Sequence, residues 1–147
     1  MNARDVMGAV APGDGETAAR AEALMRLANQ DGLRPWRLQG RELLPVVQGG
    51  MGVGVSAGGL AGAVAALAGV GTVSSVDLRR LHPDLMAQTG HLENGKEPDA
   101  RERINAANLV ALDREIRRAR LISGGRGMVA VNIMKALSAY EIYVRQS

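Results

Sequence analysis

An apolar run that breaks into a glycine-rich turn constrains the fold more than any other stretch of the chain: Leu43-Leu44-Pro45-Val46-Val47-Gln48-Gly49-Gly50-Met51-Gly52-Val53-Gly54-Val55-Ser56. An alanine-rich segment follows at once. Strand, tight turn and helix in that order make a βα unit. Glycines at the turn remove the Cβ atoms that would hold a flat or phosphorylated ligand away from the backbone. The pattern predicts a strand over 44–48 and a helix over 57–68, N-capped by Ser56 and stopped by Gly69 or Gly71. Gly58, Gly59 and Gly62 inside that helix each cost about 1 kcal/mol relative to alanine. Their retention predicts a neighbour packed very close to the helix.

The strand–helix rhythm continues. A short apolar strand is expected over 70–75 and another over 128–134, the second after the break Ser123-Gly124-Gly125-Arg126-Gly127. Between them, 77–103 is polar and rich in turn signals, and reads as one long loop. A helix is expected over 104–122, with Leu109, Leu112, Ile116 and Ala119 on one face and Asp113 paired with Arg117. A last helix is expected from Leu137 to Gln146. Strands this continuously apolar imply a parallel sheet covered by helices. Residues 1–40 read as an N-terminal extension before a domain at 41–147. The extension carries one short helix over 16–29, ended at Gly32, and residues 1–15 carry turn chemistry expected to be mobile.

Composition excludes several function classes. In 147 residues there is no cysteine, which removes disulfides and thiolate chemistry. Aromatics are 2% with no Phe, so the core must come from Val, Leu, Ile, Met and Ala. The net charge of +3 and pI near 9.9 suggest nucleic acid. However, Arg79-Arg80 and Arg117-Arg118 are only short pairs, and bases would find almost no stacking platform; no nucleic-acid partner is expected. Residues 1–10 lack the apolar core of a secretory signal. The apolar run 53–73 is broken by glycines and Ser56, and reads as a buried helix and strand rather than a membrane span. No membrane partner is expected, and the expected compartment is the cytoplasm.

Gly52-Val53-Gly54-Val55-Ser56-Ala57 fits the dinucleotide fingerprint G-x-G-x-x-G/A, with Asp77, 20 residues past Ala57, available as the ribose-binding acid. Yet Gly49-Gly50-Met51 intervenes where the strand should run straight into the first glycine. A glycine-rich βα loop without a dinucleotide fits better. His82 and His91 lie in polar surroundings without metal-ligand spacing, and are expected to be solvated loop residues. Lys96, Arg101 and Arg103 read as surface charges. No metal site, paired-carboxylate arrangement or nucleophile elbow is found.

Pro45-Val46-Val47-Gln48-Gly49-Gly50-Met51-Gly52 resembles the first strand of the nitronate monooxygenase family, formerly called 2-nitropropane dioxygenases. It is similar also to that family's relative, the flavin-dependent enoyl-ACP reductase. Gly71-Thr72-Val73-Ser74-Ser75 resembles the second strand, and Gly127-Met128-Val129-Ala130-Val131-Asn132-Ile133-Met134 the third. The three motifs stand in the family's order over 43–146.

The resemblance implies an FMN-binding TIM (β/α)₈ barrel that oxidises alkyl nitronates with dioxygen, its site at the carboxyl ends of the strands. By matching positions, the backbone of Gly49, Gly50 and Met51 would lie along the flavin ring and Asn132 would hydrogen-bond it. Ser74 and Ser75 would touch flavin or substrate, or else serve turn hydrogen bonds. The resemblance puts the catalytic histidine and the phosphate-binding glycines on later strands, so no catalytic residue is assigned here. A whole barrel takes about 250 residues. The chain is therefore expected to supply about three βα units, the N-terminal portion of the barrel, and to be nearly inactive alone. Its exposed sheet edges would invite self-association. The flavin reading requires that Asn132 and the 49–51 turn meet on one rim of the sheet.

Overall fold

A computed structural model describes residues 15–94, 97–135 and 139–147. The expectations for 1–14, for Lys96 and for the helix start at Leu137 fall outside the described residues. Helix α1 spans Gly15–Gln30, buries Ala21 and Ala28, and stops at Gly32 in the left-handed conformation, φ +77°. Strands β1 (Trp36–Leu38) and β2 (Arg41–Leu43) pair antiparallel. The turn between them is Gln39-Gly40, at φ 48° and 76°, the positive pair that a two-residue hairpin needs. The boundary expected between residues 40 and 41 thus falls inside a hairpin. Arg41 Nη1 donates to the carbonyls of Gly125 (3.1 Å) and Gly127 (2.8 Å), tying the hairpin to the domain.

Helix α2 spans Gly58–Ala66, β3 Val70–Ser74, α3 Pro83–Thr89, α4 Ala100–Ser123, β4 Met128–Asn132 and α5 Tyr140–Gln146. Strands β3 and β4 pair parallel, in register from Val70↔Met128 to Ser74↔Asn132. On the other side of β3, Val47 bridges Val70, also parallel. The three segments therefore run side by side in one direction, in a mixed α/β fold.

The first of them is shorter than the strand expected over 44–48. Pro45 has no N–H to give a ladder. Val70 N–H donates to Val46 O and Gln48 N–H to Val70 O, both 2.9 Å. The next ladder bond would run from Thr72 N–H to the Gln48 carbonyl. It goes to the Gln48 side-chain oxygen instead, at 2.9 Å. The backbone leaves the sheet at Gln48, and its side chain completes the ladder.

The glycines of α2 have the close neighbour that their cost implied. A β-carbon on Gly58 would stand 2.4 Å from the Glu115 carbonyl, and one on Gly62 would stand 2.7 Å from Ile122 Cβ. Helix α2 lies against α4 at these two points, while Gly59 meets only the end of Arg118, at 3.8 Å. On the sheet side, a β-carbon on Gly71 would fall 1.8 Å from Ala61 O. Beneath α2 and α4 the core gathers Ala61, Val73, Leu78, Leu112, Ile116 and Tyr143.

The stretch expected as one loop over 77–103 is mostly helical. It forms a 3₁₀ turn at Leu78–Leu81, then α3, then a second 3₁₀ turn at Gly90–Asn94. Pro83 opens α3, where its missing N–H costs nothing. Leu78, Leu85 and Leu92 are all buried and recur every seventh residue. Helix α4 starts at Ala100, earlier than expected, and carries the Asp113–Arg117 pair at 2.8 Å.

Candidate functional site

The carboxyl ends of β3 and β4 form a rim, and the turn after Gln48 lies over it. Ser74 and Asn132 are in register, and Ser75 N–H donates to the Asn132 carbonyl at 3.0 Å. A β-carbon on Gly50 would stand 2.6 Å from Asn132 Cβ and 2.9 Å from Asn132 Cγ. The 49–51 turn and Asn132 thus share one rim, in contact. A β-carbon on Gly49 would meet nothing within 4 Å, so that face of the turn is open. Met51 is 48% exposed. Asn132 is exposed too, and its carboxamide has no hydrogen-bond partner among the described residues.

Ser74 is placed differently. It is 2% exposed, and a β-carbon on Gly52 would lie 3.6 Å from its hydroxyl. Its side chain supports the loop from below rather than opening onto the rim. Ser75 is fully buried as well, with an unpartnered hydroxyl.

Ser56 does not cap α2. The N-cap position is Ala57, with no side-chain hydrogen bond. The Ser56 hydroxyl turns back into the glycine loop instead, accepting Met51 N–H at 2.8 Å and Gln48 Nε2 at 2.7 Å, and donating to Gly49 O at 3.0 Å. Helix α2 takes its cap from α4: Gly58 N–H donates to Glu115 Oε2 at 2.7 Å. A carboxylate already fills the amino end of this helix, where a dinucleotide pyrophosphate would need to sit. Gly54, the second glycine of the fingerprint, also lacks an open face, since a β-carbon there would meet Leu81 Cδ2 at 2.8 Å.

His82 is not a solvated loop residue. Its Nε2 lies 3.2 Å from the other Glu115 oxygen, and its side chain is only 17% exposed. The sequence separation of 33 residues hid this pairing. His91 is exposed, with Nε2 3.7 Å from Glu97. Among the described residues neither histidine makes a hydrogen bond or ion pair to the 49–51 turn.

A buried arginine follows β3. Arg79 Nη2 donates to Glu93 at 2.7 Å, its Nε lies 3.0 Å from Asp77, and its backbone N–H donates to Asn108 at 3.0 Å. The Arg79 hydrogen bond, with Arg80 beside it, holds the Glu93 carboxyl below the usual carboxylate range. Burial, with the Asp77 charge adding to it, pushes the Tyr143 phenol up to about 12. A bidentate pair from Arg114 to Asp84, at 2.9 and 2.8 Å, joins α4 to α3 and lowers the Asp84 pKa. These groups fix the helices behind the rim.

A cleft of about 650 Å³ opens elsewhere, lined by Gln39, Arg41, Arg120 and Ser123 together with the start of β4. It sits at the amino end of the strand, away from Asn132. Among the described residues no cluster of His, Cys, Asp and Glu fits a metal ion, and no helix is long and apolar enough to cross a membrane. Comparison of the chain with family models, curated proteins and solved structures returned no match.

Proposed function

We propose that Gly49, Gly50, Met51 and Asn132 form the ring-facing part of an FMN site, in the N-terminal portion of a (β/α)₈ barrel of nitronate monooxygenase type. The observation that carries this reading is the Gly50–Asn132 contact, with open space over Gly49 beside it. A flat ring needs a backbone without Cβ atoms and a polar group at its edge. The turn supplies the first. The free Asn132 carboxamide supplies the second, offering both a donor and an acceptor to a ring edge that alternates N–H and C=O. FMN, when bound, supplies the two-electron redox chemistry for oxidation of alkyl nitronates with dioxygen.

The chain's own contribution on this reading is binding and orientation. Its two histidines lie beside Glu115 and Glu97 and make no hydrogen bond or ion pair to the 49–51 turn, so acid–base work at the rim is not assigned to them. Turnover by this chain alone is proposed to be very slow. Reduction of enoyl thioesters would use the same ring contacts and differs in taking electrons from a nicotinamide donor. A dinucleotide module is disfavoured by the Glu115 carboxylate at the α2 terminus.

Titration with FMN, followed by quenching of flavin fluorescence, tests the reading. Wild type is expected to bind in saturable fashion, and Asn132→Ala to bind about tenfold more weakly, the loss of one or two hydrogen bonds. Equal affinity of the two proteins, or no binding by wild type, would overturn it. Anaerobic reduction of the bound flavin by alkyl nitronate rather than NAD(P)H separates the two chemistries.

A further inference from the structure

We infer that Ser56, working with Gln48, is a positioning residue that presets the ring-facing turn before any ligand arrives. The inference deepens the flavin reading and rests on it for the ligand; its claim about the turn stands apart. A serine hydroxyl has one proton to give and two lone pairs to fill. At Ser56 all three are used, on Gly49 O, Met51 N–H and Gln48 Nε2. The main chain of Ser56 is equally committed. Its N–H donates to Met51 O at 2.9 Å, and its carbonyl accepts Ser74 N–H at 2.8 Å. The residue is fully buried. Gln48 links this node to the sheet through Thr72 N–H. The Gln48 side chain therefore joins the Ser56 node to β3.

This arrangement sorts the peptide groups of the turn. Gly49 O, Met51 N–H and Met51 O all point at Ser56. The peptide groups with no partner among the described residues are Gly49 N–H and both groups of Gly50. A ring over the turn would thus find a donor and an acceptor on Gly50, next to the Asn132 amide. Met51 would meet it through its side chain alone. Preordering of this kind lowers the cost of binding, because the turn does not have to be frozen by the ligand.

The test combines amide exchange without ligand and flavin binding, on the full chain. Ser56→Ala is expected to speed exchange of the Met51 amide at least tenfold, with the Leu112 amide in α4 unchanged. It should weaken FMN binding about tenfold and alter the visible band shape of bound flavin. Ser56→Thr, which keeps the hydroxyl, should restore slow Met51 exchange. Should Ser56→Ala fail to fold, Gln48→Met carries the same comparison, read at the Thr72 and Met51 amides. Unchanged Met51 exchange overturns the inference. So does faster exchange with FMN affinity left at the wild-type value. If wild type binds no FMN while Met51 exchange does speed up, the flavin reading fails and the preset turn stands.

Discussion

Gly50 and Asn132 touch across the rim so closely that residue 50 has no room for a β-carbon, which would stand 2.6 Å from Asn132 Cβ. The conflicting atom is the fixed root of the asparagine side chain, so the turn or the end of β4 must move. Gly50→Ala is expected to cost about 1–3 kcal/mol, the usual range for overpacking. It should also reduce FMN affinity. Urea unfolding and flavin titration on the same preparation check both.

Gly49 gives the matching control. With nothing within 4 Å of its would-be β-carbon, Gly49→Ala should leave stability within roughly 0.5 kcal/mol of wild type. FMN affinity should still fall, because the added methyl enters the space proposed for the ring. A loss of stability equal to that of Gly50→Ala would show that the face over Gly49 is occupied by the protein itself.

Gly71 sits where β3 passes beneath α2, and its would-be β-carbon lies 1.8 Å from Ala61 O. Backbone cannot yield as a side chain can. Gly71→Ala is expected to destabilise the fold by about 3 kcal/mol or more, lowering the urea midpoint. Gly127, 2.2 Å from Ala65 O by the same measure, should behave alike.

Glu115 serves two partners from the middle of α4, Gly58 N–H at 2.7 Å and His82 Nε2 at 3.2 Å. Glu115→Ala strands a buried N–H at the start of α2 and is expected to cost about 1–3 kcal/mol. Glu115→Gln keeps an acceptor for Gly58 and should cost less. Equal losses in the two variants would mean that charge, not the hydrogen bond, is what α2 requires.

Alkaline pH should find a weak point at Tyr143. Its folded pKa is pushed up to about 12, against about 10 in an unfolded chain. Between those values the unfolded chain releases a proton that the folded one keeps, so stability is fully present below pH 10 and drains away towards pH 12. The loss amounts to at most roughly 3 kcal/mol. Urea midpoints measured from pH 9 to 11.5 should fall for wild type and stay flatter for Tyr143→Phe.

The strand–helix order was legible because it is written locally, in apolar runs bounded by glycine; the meeting of the 49–51 turn with Asn132 joins distant stretches and was implied only by the resemblance. The glycines of α2 also announced their neighbour, since a helix keeps costly residues only where something presses on it. Other features depended on partners far away in the sequence. Ser56 has the chemistry of an N-cap, but Glu115, 59 residues later, takes that role and frees the hydroxyl for the loop. His82 looked solvated because the same glutamate is invisible from its own stretch. The 77–103 segment looked like a loop because its charged residues mask Leu78, Leu85 and Leu92, whose seven-residue recurrence was the overlooked signal. The resemblance offers Ser74 either to the ring or to turn hydrogen bonds, and no local pattern tells that its hydroxyl is buried beside Gly52.

Arg41 grips carbonyls that lie 84 and 86 residues further along the chain. During synthesis the hairpin leaves the ribosome long before either carbonyl exists, so its docking must wait for the whole stretch from α2 to β4. A connection of such long range makes the hairpin one of the last parts to settle. The Arg41 clasp can therefore close only after the carbonyls of Gly125 and Gly127 have been made.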